Sequence, residues 1–242
     1  MGCTQNEVSS AMNSEMLQYT QPTPTIDSDN PMVAEFAKET AAGSADRREQ
    51  SIRLYYAIRD GIWYDPYTID LSIEGLRASR TLKEGRGWCV AKAVLLVGCC
   101  RAVGIPARLG FADVRNHLST KRMREAMKTD VFFWHGYASI YVNGGWVKAT
   151  PAFNRELCER FALKPLDFDG INDSIYHSFN LAGNRHMEYL QVRGEYPDVP
   201  IDQIRETFQR EYPSDVSWNQ ADFDHDVGQE AGHDQSEKSI DT

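Results

Sequence analysis

Apolar positions along the chain fall into runs with two different periods. Between Val90 and Val103 the charged residues are Lys92 and Arg101, so the segment reads as a helix buried on most sides. Gly104, with Pro106 just beyond, marks its stop. Upstream, Asn30-Pro31 opens another helix with the proline in the first turn, and Val33, Phe36 and Ala37 recur at helical spacing before Gly43. A third begins at Asp46-Arg47-Arg48-Glu49, which has capping-box spacing, and continues through Ile52, Tyr55, Tyr56 and Ile58. These two helices are predicted to cover a core. Near the far end, Ile201, Ile204 and Phe208 predict an amphipathic helix over 200–212.

Strand patterning is clearest in Val131–Val142 and Trp146–Thr150, separated by Asn143-Gly144-Gly145, a strong hairpin signal. With a two-residue turn at Asn143-Gly144, Val142 faces Gly145, Tyr137 faces Thr150 and His135 faces Ala152. His135, Thr150 and Asn154 then share one face of the sheet. If Gly145 joins the turn, the pairing slips by one and the sharing is lost unless a bulge absorbs it. Asn154 also reads as the N-cap of a short helix ending near Phe161. Residues 106–114 have strand character, and the turn-rich segment 65–86 is placed to form one wall of a cleft. In 115–130 the basic residues Lys121, Arg122 and Arg124 predict a solvated face, and His117 is a loop histidine. Leu166–Gly170 and Asn172-Asp173-Ser174 form an acidic, turn-like cluster that could reach a site.

Composition bounds these expectations. The 242 residues are 41% hydrophobic and 25% charged, an ordinary globular balance. The net charge is −9, but from Asp215 onward eight acidic residues meet one lysine, so the remainder is nearly neutral. It has no basic stripe for nucleic acid and no apolar run long enough for a membrane. An extended lead-in over 1–25, one domain over 26–212 and a disordered acidic tail over 213–242 are expected. Five cysteines without dense spacing argue against a disulfide framework, and no secretory signal is visible at the N-terminus, so a cytoplasmic location is expected. Cys99, Cys100 and Cys158 read as packing residues. No motif calls for a cofactor, metal or calcium.

Cys89 is the cysteine placed for chemistry. Gly85-Arg86-Gly87-Trp88-Cys89 delivers Cys89 to the start of the long apolar helix, where unsatisfied N–H groups and the helix dipole favour a thiolate. His135, on a later strand, supplies a general base. Together they outline a Cys–His pair in which a third side chain fixes the imidazole.

Gly87-Trp88-Cys89 with Ala93 and Leu96, Arg101-Ala-Val-Gly-Ile-Pro-Ala-Arg108, His135-Gly-Tyr-Ala-Ser-Ile-Tyr-Val and Gly145-Trp-Val-Lys-Ala-Thr-Pro together resemble the core of the transglutaminase-like superfamily of thiol enzymes. The close similarity covers about residues 85–154 and extends more weakly from about 20 to about 212. The resemblance implies an α+β, papain-like core with N-terminal helices and a nucleophile-bearing helix packed on an antiparallel β-sheet. It further implies Cys89 as nucleophile, His135 as general base and acyl-thioester chemistry. The family usually has aspartate four residues after the tryptophan of the second strand; here that slot holds Thr150. Asn154 and Asp169 are the alternative third members. The function implied is acyl transfer, hydrolysing an amide, peptide or isopeptide-type bond of a peptide or protein substrate. The alternative is a catalytically silent module that binds a peptide or partner protein in the same cleft.

Overall fold

In the computed structural model, which describes residues 16–116, 119–175, 179–183, 186–214 and 221–238, the first two helices begin at the anticipated caps. α1 (Pro31–Ala41) starts after Asn30, whose side chain accepts from the Met32 N–H, and α2 (Arg47–Gly61) after Asp46, which accepts from the Arg48 N–H. Val33 and Ala37 of α1 and Leu54, Tyr55 and Ile58 of α2 are buried. The chain continues through β1 (Trp63–Tyr64), a 3₁₀ turn at Pro66–Thr68, α3 (Ile73–Leu76) and α4 (Ala78–Glu84). Gly85, at φ 66°, ends α4 with the left-handed backbone that glycine adopts most readily. β2 (Arg86–Gly87) then pairs in parallel with β1 and leads into α5 (Cys89–Ala102).

Every residue of α5 from Cys89 to Arg101 is buried. Its two cations therefore need internal partners. Lys92 Nζ donates to the carbonyls of Arg59 and Ile62 at the end of α2, and burial holds its pKa well below the usual lysine range. Arg101 donates to the carbonyls of Ala107, Gln21 and Pro197.

The remaining elements are β3 (Ala107–Asn116), α6 (Lys121–Met127), β4 (Val131–Val142), β5 (Gly145–Ala149), α7 (Arg155–Arg160), β6 (Met187–Tyr196), α8 (Ile201–Glu211) and α9 (Phe223–Lys238). Antiparallel pairing builds a four-stranded sheet in the order β5-β4-β3-β6. α5 packs on the sheet, and α1, α2 and α4 pack on α5. The hairpin takes the two-residue turn, with Val142 opposite Gly145 and Ala138 opposite Ala149. Asn143 and Gly144 both have positive φ, as a type I′ turn requires. The ladder stops at that last pair, and the Thr150 N–H turns to the Ser174 carbonyl. The extrapolated His135–Ala152 pairing therefore does not form as a continuation of the β4–β5 ladder.

Both chain ends differ from expectation. Residues 1–15 of the lead-in lie outside the described residues, but Gln18–Thr20 form a 3₁₀ turn rather than extended chain. Of the tail expected to be disordered, residues 215–220 and 239–242 lie outside the described residues, while 223–238 form α9. Phe223 and Val227, four positions apart on α9, are buried. The Phe223 ring meets Tyr64 and Tyr67 edge-on. Asp226 pairs with Arg122 and accepts from the Tyr67 hydroxyl, Glu230 pairs with Arg124, and Asp224 pairs with Arg160. The basic run of α6 is thus an interface with the acidic segment rather than a freely solvated face. No helix among the described residues is long and apolar enough to cross a membrane.

Candidate active site

Cys89 is the first residue of α5, and Gly136 of β4 passes directly over that helix start. A Cβ at Gly136 would lie 3.0 Å from Val90 Cα, tighter than nearly all real contacts, so glycine lets the strand approach the helix start that carries the thiol. Burial pushes the Cys89 thiol up to about 11. The backbone N–H groups of Gly136, Val90 and Cys89 itself act in the opposite direction and favour the thiolate, but they do not overcome desolvation. The thiolate favoured by position alone is therefore not the resting form at neutral pH.

His135 precedes Gly136 and is buried. A bulge sets its place on β4. Ala112 lies opposite His135 and Val114 opposite Phe132, so β4 carries one extra residue across this stretch. Trp134 absorbs the distortion with φ 58°. Its N–H donates to Asp113 Oδ1, its indole N–H to Thr207, and Asp113 is held by Arg193. Burial and the neighbouring His186 push the His135 imidazole down to about 3. Both shifts favour the neutral thiol and the neutral imidazole.

Cys89 and His135 line one cleft of about 460 Å³. Pro66 and Ile69 from the turn-rich segment, beside Tyr64 of β1, form one side, fulfilling the expectation of a wall there. Met123 and Met127 of α6, Phe132 and Phe133 of β4, and Phe208 and Tyr212 at the end of α8 supply the rest of the apolar surface. Tyr212 also ties α8 to β4, accepting from the Phe133 N–H and donating to the Val131 carbonyl. Trp88 lines the cleft beside the thiol, and its buried indole Nε1 has no hydrogen-bond partner among the described residues.

The three candidates for the third member are differently engaged. Thr150 is buried, its carbonyl accepts from the Tyr55 hydroxyl, and its own hydroxyl has no hydrogen-bond partner among the described residues. Asn154 accepts from the Tyr64 N–H and donates to Glu156. It precedes α7 without capping it through its side chain. Asp169 is engaged within its own loop: its carboxylate accepts from the N–H groups of Ile171 and Asn172 and from the Asn172 side chain. Those bonds hold its pKa at about 2. His117 lies outside the described residues.

Sequence reasoning missed Asp113, His186 and the cleft walls supplied by α6, Phe132 and Phe133 of β4, and α8. Asp113 had a signal, a lone carboxylate within the apolar strand 106–114. Met123 and Met127, four apart within a basic run, had a weaker one. His186 had none, because a loop brings it near His135.

Residues 34–151 match the profile of the transglutaminase-like superfamily. Among solved structures, a proposed cysteine protease from Cytophaga hutchinsonii aligns at 18% identity and TM-score 0.45, covering 57% of this chain and 42% of that protein. A proposed protease from Parabacteroides distasonis aligns at 17% identity and TM-score 0.36, covering 49% of this chain and 23% of that protein. The aligned part is thus less than half the length of either. No curated protein matches the chain significantly.

Proposed function

Because residues 34–151 belong to the transglutaminase-like superfamily, we propose that the protein is a thiol-dependent acyl-transfer enzyme that hydrolyses an amide, peptide or isopeptide-type bond. The observation that carries this reading is the shared cleft of Cys89 and His135, with the sulfur against the N–H of the residue following the imidazole.

From a neutral pair, attack is coupled to proton transfer. As Cys89 Sγ forms its bond to the acyl carbon, the thiol proton passes to His135, and the carbonyl π pair moves onto oxygen. The N–H of Cys89 at the helix start and the indole N–H of Trp88 are the donors proposed to face that oxyanion. Return of the electron pair breaks the carbon–nitrogen bond, and the leaving amine takes the proton from His135. Water, deprotonated by the same imidazole, then attacks the thioester. The carbon–sulfur bond breaks, the acid leaves, and the sulfur recovers its proton.

The test is acylation of the full chain by an activated ester, read by intact mass. A single acyl adduct on the wild type, absent from Cys89→Ala and strongly slowed in His135→Ala, is expected. An adduct that persists in Cys89→Ala, or none on the wild type, overturns the reading. A second reading, a silent module binding a peptide in the same cleft, is favoured by Thr150, whose hydroxyl makes no hydrogen bond among the described residues. Stoichiometric peptide binding without acylation would support that alternative.

A further inference from the structure

The cleft beside Cys89 has a one-sided chemistry. Aspartate, glutamate, lysine and arginine are absent from its described lining, although a quarter of the chain is charged. Its apolar character is also built by a backbone device. A regular strand sends neighbouring side chains to opposite faces, yet Phe132 and Phe133, adjacent on β4, both line the cleft. The register slip next to them, with Trp134 at φ 58°, breaks that alternation. On the facing wall, Met123 and Met127 are spaced one helical turn apart on α6 and both are buried. Phe208 and Tyr212, likewise four apart, close the third side from the end of α8.

Resting on the thiol-enzyme reading above, we propose that the acyl group transferred through Cys89 carries a bulky, uncharged apolar substituent, aromatic or long aliphatic, seated among Met123, Met127, Phe132, Phe133, Phe208 and Tyr212. The volume suits this assignment. Pockets that enclose small ligands run from about 300 to about 1,000 Å³, and 460 Å³ leaves space beyond the reacting carbonyl for one large side group. A charged acyl substituent would lose its hydration there without an ionic partner. Methionine walls adjust to shape, so selection falls on apolar character and size rather than on one side-chain outline. Acyl transfer proceeds with the bonds and protons already described; the substituent is a spectator whose burial accelerates acylation.

The experiment uses the full chain and p-nitrophenyl esters of 3-phenylpropionate, octanoate, acetate and hemisuccinate. Nitrophenolate release is followed with intact mass, and each rate is divided by that of the same ester with N-acetylcysteine. Phenylpropionyl and octanoyl esters are expected to acylate Cys89 at least about tenfold faster than acetyl, the scale on which apolar pockets discriminate, with hemisuccinyl slowest. Met127→Gln should lower that ratio; Phe208→Gln replaces it if the first variant does not fold. Equal normalised rates, a preference for hemisuccinyl, or a ratio unmoved by the folded variant overturn this inference and leave the thiol-enzyme reading standing. Absence of any adduct on Cys89 overturns both.

Discussion

The N–H of Trp134 donates to Asp113 Oδ1 at 3.1 Å, across a bulge that places His135 one residue away from it along β4. A left-handed backbone at a bulky residue is unfavourable on its own. Here it is held by that bond, by the indole N–H on Thr207 at 2.9 Å and by packing of the ring on Phe111 and Tyr196. Arg193, paired with Asp113 at 2.7 Å, also lies over the Trp134 ring.

Asp113→Ala removes the anchor of the bulge and leaves Arg193 without its buried partner. Loss of about 3 kcal/mol of stability is expected, read as a lower urea midpoint. Asp113→Asn, which keeps an acceptor for the Trp134 N–H, should lose less. If both variants unfold at the wild-type midpoint, Asp113 does not hold this part of the sheet.

Alkylation of Cys89 by iodoacetamide should rise roughly tenfold per pH unit between pH 7 and 10, because only the thiolate reacts and the thiol is pushed up to about 11. Peptide mapping separates Cys89 from the other buried cysteines. A rate plateau below pH 8 would instead reveal a pre-formed thiolate–imidazolium pair.

His135 makes the fold sensitive to acid. With the imidazole lowered from 6.5 to about 3 by burial and His186, neither folded nor unfolded chain binds its proton above pH 6.5. Between there and pH 3 the unfolded chain takes a proton that the folded chain refuses. Stability attributable to this residue therefore falls with decreasing pH, by about 1.4 kcal/mol per unit once well below 6.5. Stability profiles of wild type and His135→Leu should differ in slope by one proton between pH 6 and 4. Parallel profiles would contradict the depressed imidazole.

Thr150→Val keeps the shape of the side chain and removes a hydroxyl that has no hydrogen-bond partner among the described residues. Little change in stability is expected, and acylation by the activated esters should stay within about threefold of wild type, far short of the hundredfold scale of general-base catalysis. A hundredfold fall would identify threonine as the third member.

Phe223→Ala empties a buried site between Tyr64 and Tyr67, and about 3 kcal/mol is the expected cost. The double change Asp226→Asn with Glu230→Gln should instead weaken the α6–α9 contact in a salt-dependent way, since its ion pairs are partly exposed. Faster proteolysis of residues 221–238 in either variant is the readout.

Strong periods made much of the architecture legible. α5 announced itself by having two charges in a long apolar run, the hairpin by Asn143-Gly144, and α1 and α2 by caps ahead of apolar stripes. β6 escaped because Glu188, Gln191, Arg193 and Glu195 interrupt its apolar positions; its identity comes from pairing with β3. α9 escaped because acidic composition hid Phe223 and Val227, whose burial depends on a distant aromatic pair and a basic helix. That Cys89 and His135 line one cleft was legible from motif and element. Where Thr150, Asn154 and Asp169 engage was not, since the path of the chain after Ala149 is decided by loops that carry no period.

The amine of Lys92 grips the last carbonyls of α2 one helical turn from the thiol. A rod clamped at that point cannot slide lengthwise or spin about its axis without tearing free of the clamp. The coordinates of the sulfur are thus inherited from a segment laid down well before it, and a disturbance at the far end of α2 would be transmitted to Cys89 as a misalignment of the nucleophile.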